Sequence, residues 1–156
     1  MARLYVSSAA VIGLLSGCAY LHDYSAPPAS APWPASHART EAARLAGCLA
    51  SMVFNVPSAG NPVSDAATVL EIRTGLQTSM SVALDQYLRN PSLEGVIVVS
   101  DNNALAAAVA EAAMQRWTGA VQYPLLCVVA DANEVAELDA LAVRKHIRLR
   151  GVIAAD

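Results

Sequence analysis

Two short runs, Val96-Ile97-Val98-Val99 and Leu125-Leu126-Cys127-Val128-Val129, carry no polar residue at either parity. Successive side chains of a strand point to opposite faces, so a strand that is apolar at both parities has to be covered on both sides. A parallel sheet with helices packed over it meets that condition, and the neighbouring segments fit it. Leu76 to Arg89 has helical spacing and stops at Asn90-Pro91, Ala104 to Trp117 is alanine-rich and closes at Gly119, and Asn133 to His146 reads as a third helix. Val69 to Arg73 and Ile147 to Ala154 read as further strands. Thr40 to Val53 reads as an opening helix capped by Thr40, with Leu45, Cys48, Leu49, Met52 and Val53 on its inward face. The turn-rich stretch Asn55 to Ser64 ends it. The expectation is one small α/β domain over residues 39–156, with about four mostly parallel strands covered by helices and joined by right-handed crossovers. Its core is aliphatic, because hydrophobic residues make up 55% of the chain and aromatic residues 5%.

The residues before this domain have a different character. Arg3, an apolar run from Leu4 to Leu15 and the small residues that follow have the composition of a leader over residues 1–17, too short to span a bilayer. Leu15-Ser16-Gly17-Cys18 resembles the lipobox of bacterial lipoproteins. The resemblance implies diacylglycerylation of Cys18, cleavage just before it, and acylation, commonly by palmitate, of the new amino terminus. Several acyl chains together give stable anchoring where one is marginal. Ala19, in place of Asp, is similar to the sorting pattern of lipoproteins sent to the outer membrane. The expected location is therefore the cell envelope, on the periplasmic face of that membrane. Residues 18–38 then form a linker in which Pro27, Pro28, Pro32 and Pro34 alternate with Ser and Ala and almost nothing is available to bury.

With Cys18 lipidated, Cys48 and Cys127 are left as a pair. An oxidising compartment favours a disulfide between them, and two buried thiols acting as small hydrophobes are the alternative.

The segments Val96 to Asp101, Leu126 to Asp131 and Gly151 to Asp156 all run from apolar residues through a small one to Asp. This puts a carboxylate at one end of three strands, and ligands of open parallel sheets bind beyond the carboxyl ends. Asp101, Asn102, Asn103, Asp131 and Asn133 are the candidate binding residues, suited to a cation, sugar hydroxyls or an ammonium group. Helix capping is the competing explanation, since Asp131 and Glu134 have capping-box spacing. His22 and His37 fall in the linker and His146 at a helix end. No histidine pair, phosphate loop or nucleophile elbow is present, so no catalytic set, metal or cofactor is expected. Arg144, Lys145, Arg148 and Arg150, with His146, form one basic cluster. They could offset a helix dipole and solvate an edge strand, or contact anionic lipid, wall polymer or an acidic partner. A formal charge of −3 gives the chain no electrostatic reason to bind nucleic acid.

Ala83-Leu84-Asp85-Gln86, Val96 to Asp101, and Arg116 on the next helix resemble OmpA-like peptidoglycan-binding domains. In that family an Asp after a strand and an Arg on the following helix clasp the wall peptide, which would assign Asp101 and Arg116 that role. Val96 to Trp117 and Val128 to Ile153 are also similar to half of a type 1 periplasmic binding fold. The resulting expectation is a lipid-anchored, non-enzymatic accessory or assembly protein of the envelope, with an envelope protein or peptidoglycan as partner. The alternatives are a domain that binds wall peptide or a small polar ligand through the strand-end Asp and Asn residues, and a hydrolase working through carboxylates.

Overall fold

The computed structural model describes residues 35–50, 52–118 and 125–154. The leader, Cys18, most of the linker and Asp156 lie outside the described residues. In chain order the elements are α1 (Ala35–Leu45), β1 (Met52–Val56), α2 (Pro62–Arg73), α3 (Ser79–Leu88), β2 (Gly95–Ser100), α4 (Asn103–Gln115), β3 (Leu125–Ala130), α5 (Ala132–Lys145) and β4 (Leu149–Ile153). The four strands form one all-parallel sheet in the order β1-β2-β3-β4.

Both faces of the sheet are covered, as the unpatterned strands require. On one face Phe54, Val56, Val96, Val98, Leu126 and Val128 pack with residues of α2, α3, α4 and α5. On the other, Ile97, Val99, Cys127, Val129 and Val152 pack with Ala43 of α1 and Cys48 just after it. The alanine-rich α4 is central. It lies on β2 and β3 and touches α2, α3 and α5, and small side chains on nearly every side permit that.

Two segments depart from the sequence expectation. Val69 to Arg73 is not a strand but the last turns of α2, whose start is set by Asn61, with Oδ1 accepting the Val63 N–H at 2.9 Å, and by Pro62 in the first turn. Asp65, Val69 and Ile72 then share its buried face. Conversely, the first helix ends early. Gly47 adopts φ +84°, the left-handed conformation that terminates helices, and Met52 to Val56 becomes the first strand. Leu45 and Leu49, expected inward, are exposed; α1 meets the sheet through Ser36, Thr40 and Ala43 instead. The helix starts at Ala35, so residues 35–38 belong to the domain rather than to the linker.

Cys48 and Cys127 are placed as a disulfide with Cα atoms 6.2 Å apart, joining the end of α1 to β3. Two members of the basic cluster have structural roles. Arg150 Nη1 donates to Ala46 O at 2.7 Å, and Lys145 Nζ to Gln115 O at 3.0 Å, so each satisfies carbonyls at a helix C-terminus, while Arg144 and Arg148 stay exposed. Among the described residues no helix is long and apolar enough to cross a membrane.

Gly151 sets the approach of α5 to β4, because a Cβ there would overlap Val135 Cγ1. Gly151→Ala should therefore cost about 1–3 kcal/mol by overpacking, measured by urea denaturation. In a Val135→Ala background most of that cost should disappear, because the two positions are in contact.

Candidate functional site

The carboxyl ends of β1, β2 and β3 open into a cleft of about 580 Å³, within the range of small-molecule sites. Its walls come from the loop after β1, the first turns of α2 and α4, the residue preceding α5, and α1.

Asp65 of α2 holds the cleft together. Its carboxylate is 4% exposed, yet it is well supplied with donors. Ser58 Oγ–H reaches Oδ2 at 2.5 Å, the Ala59 N–H reaches Oδ1 at 2.8 Å, and Asn102 Nδ2 reaches Oδ2 at 3.1 Å. The Ser58 hydrogen bond is the largest influence on its acidity, and with the Ala59 and Asn102 bonds it outweighs burial, so the pKa lies below the ordinary value. Asn102 in turn caps α4, with Oδ1 accepting the Ala104 N–H at 3.1 Å. One buried carboxylate thus fixes the β1 loop to the start of α4. Asp65 was not a sequence candidate, because its segment was read as a turn leading to a strand; the Asn61-Pro62 helix start was the signal that could have placed it.

Asp101 and Asp131 both line the cleft, and neither side chain caps its own helix. Asp101 Oδ1 accepts the Ser36 N–H at 2.7 Å and so caps α1, which comes from the opposite face of the sheet. Asp131 occupies the N-cap position of α5 without a side-chain cap bond; its Oδ1 accepts from Asn103 Nδ2 at 2.8 Å. The capping-box expectation is corrected accordingly: the Asp131 side chain turns toward α4. Each carboxylate is oriented through one oxygen, and the Oδ2 of each takes no hydrogen bond among the described residues. Asn103 also keeps a buried Oδ1 with no donor among the described residues.

Arg39 is the cation of the cleft. Its Nη1 donates to Ser100 O at 2.5 Å, and it forms no ion pair among the described residues. Sequence reasoning missed it because the first helix was read from Thr40 onward, which left Arg39 outside it.

The remaining candidates fall elsewhere. Asn133 is exposed on α5 and does not line the cleft. Arg116 sits at the C-cap of α4, while Asp101 lies before its N-terminus. A helix of that length separates them by about 20 Å, so they cannot clasp one small group. Arg116 lines a separate cavity of about 210 Å³ with Ile72 and Ser81. Among the described residues no group of three His, Cys, Asp or Glu side chains could hold a metal ion.

Glu134, on the first turn of α5, contrasts with Asp65. Burial raises its pKa; the Asp131 backbone bond and Arg73, whose Nη2 is 3.4 Å from Oε1, only partly offset this. Its Oε2 is buried with no partner among the described residues.

The two carboxyls have opposite pH signatures. A lowered native pKa means that the unfolded chain binds the proton more readily. Asp65 therefore contributes stability that is complete above its ordinary value of 3.8 and lost as pH falls through the lowered one. Asp65→Asn should cost about 1–3 kcal/mol at pH 7 and flatten the acid limb of a stability–pH curve. Glu134, raised from 4.5, costs stability progressively as pH rises from 4.5 through its native value, so Glu134→Gln should leave stability at pH 7 unchanged or higher. Urea titrations from pH 3 to 7 check both. No protein-family model matches this chain, and no curated protein or solved structure shows significant similarity to it.

Proposed function

We propose that this protein is a lipid-anchored, non-enzymatic component of the bacterial cell envelope whose α/β domain binds a small polar ligand at the carboxyl edge of its sheet. The observation that carries the binding role is the pair Asp101 and Asp131, which share one cleft. Each is oriented by a single hydrogen bond, and each has a second oxygen left to accept from a ligand. Support for the anchor comes from Leu15-Ser16-Gly17-Cys18, and for an oxidising compartment from the placement of Cys48 beside Cys127.

On this reading Cys18 tethers the domain and the proline-rich residues after it act as a leash. The cleft then samples solutes or wall fragments near the membrane, and an accessory role in a larger envelope assembly would operate through what the cleft holds.

A thermal-shift screen of amino acids, amines, sugars and soluble wall fragments tests the binding role. A ligand at ten times its Kd should raise the melting temperature by about 5 °C, and Asp131→Ala should abolish the rise. If no compound stabilises the wild type, the binding role is wrong. The anchor has its own measurement: cells fed a palmitate analogue should label the wild type and not Cys18→Ser, and an unlabelled wild type removes the lipoprotein reading.

A further inference from the structure

The cleft holds charges of both signs that do not neutralise one another. Arg39 is committed to the Ser100 carbonyl, Asp101 to the Ser36 N–H and Asp131 to the Asn103 amide, and no ion pair joins the guanidinium to either carboxylate among the described residues. Four elements of the fold fix these partners, so each charge is held by a neutral group rather than by an opposite charge. Of the five N–H groups of Arg39, a single hydrogen bond is accounted for, and the others remain to meet an acceptor.

A ligand of one sign fits such a cleft poorly. A simple anion would meet Asp101 and Asp131 unopposed on their open oxygens. A simple cation would be repelled by Arg39. A neutral sugar would satisfy hydrogen bonds while leaving charges of both signs uncompensated and partly desolvated. A ligand that carries a carboxylate and an ammonium together satisfies both sets, since charge-assisted bonds form at each end.

We propose that the cleft recognises a zwitterion, an α-amino acid or a peptide piece with free amino and carboxyl groups, its carboxylate on Arg39 and its ammonium against Asp101 and Asp131. This rests on the cleft being a binding site and adds the ligand class. The volume of about 580 Å³ leaves room for a side chain or a peptide continuation beyond the charged head. Arg39 is the specificity-determining residue, because it supplies the cation that distinguishes a zwitterion from a plain amine.

Equilibrium dialysis of the full chain in mild detergent, with radiolabelled alanine as probe, tests this. Unlabelled alanine and serine should compete, whereas ethylamine, propionate and glucose should be at least tenfold weaker. Arg39→Gln should lower alanine affinity tenfold or more and leave ethylamine binding unchanged. A merely unfolded variant would lose both, and Arg39→Lys should recover part of the alanine affinity. Competition by ethylamine or propionate as strong as that by alanine overturns the zwitterion. So does glucose binding without alanine binding, although the cleft would then stand as a ligand site. Absence of binding by every probe, together with no stabilisation in the thermal screen, overturns the site as well.

Discussion

The hydrogen bond from the Ser36 N–H to the Asp101 carboxylate joins two layers that the sheet would otherwise keep apart. A parallel sheet with apolar residues at both parities needs cover on two faces. Here α2 to α5 occupy one, and α1 is the one described helix on the other. It is short, presents Ser36, Thr40 and Ala43 to the strands, and leaves its one leucine, Leu45, in solvent. So little apolar area gives it weak hydrophobic adhesion, and its position depends on specific ties. Asp101 and the Arg39–Ser100 contact hold its beginning, while Arg150 on Ala46 O and the Cys48–Cys127 link hold its end. A disulfide closing residues 79 apart in sequence would contribute about 4 kcal/mol in the chain-entropy model.

Those ties also shape the cleft. Asp65 fixes the β1 loop against the first turn of α4 through Ser58, Ala59 and Asn102. Asn103, next along α4, orients Asp131 at the start of α5. The polar residues therefore form a relay along the carboxyl edge, each holding the next element in place. At the level of sequence, capping and ligand binding are alternatives; in the fold the two need not exclude one another. One carboxylate oxygen positions a neighbouring element and the other stays open.

The sequence was most legible where periodicity is strong and both faces are buried. The apolar run Leu125 to Val129 matches its strand to within one residue, and the helices after β2 and β3 were placed within two residues. The strand count of four came out right through two compensating misreadings. Val69 to Arg73 has the β-branched look of a strand but belongs to a helix begun by Asn61-Pro62, and Met52 to Val56 alternates buried and exposed residues but follows a helix that Gly47 stops early. Both errors came from weighing side-chain type above backbone punctuation. They also hid two of the polar residues of the candidate site. Asp65 depends on α2 being a helix and Arg39 on where α1 begins, whereas Asp101, Asn102, Asn103 and Asp131 follow strands that could be read directly.

The location of the cleft has a topological reason. Open parallel sheets commonly bind ligands where strand order reverses, because crossovers leaving to opposite faces open a crevice there. The order β1-β2-β3-β4 has no reversal, and every crossover helix lies on one face. Such a sheet lacks that crevice; the opening appears because α1 arrives from the opposite face and ends its first turns against the loop that follows β2. The cleft is thus bounded by two layers: Asp65 and Asp131 lie on the side of α2, α4 and α5, Asp101 reaches across to the first turn of α1, and the guanidinium is on α1. A dipolar ligand would bridge those layers and reinforce the attachment of the less well packed one.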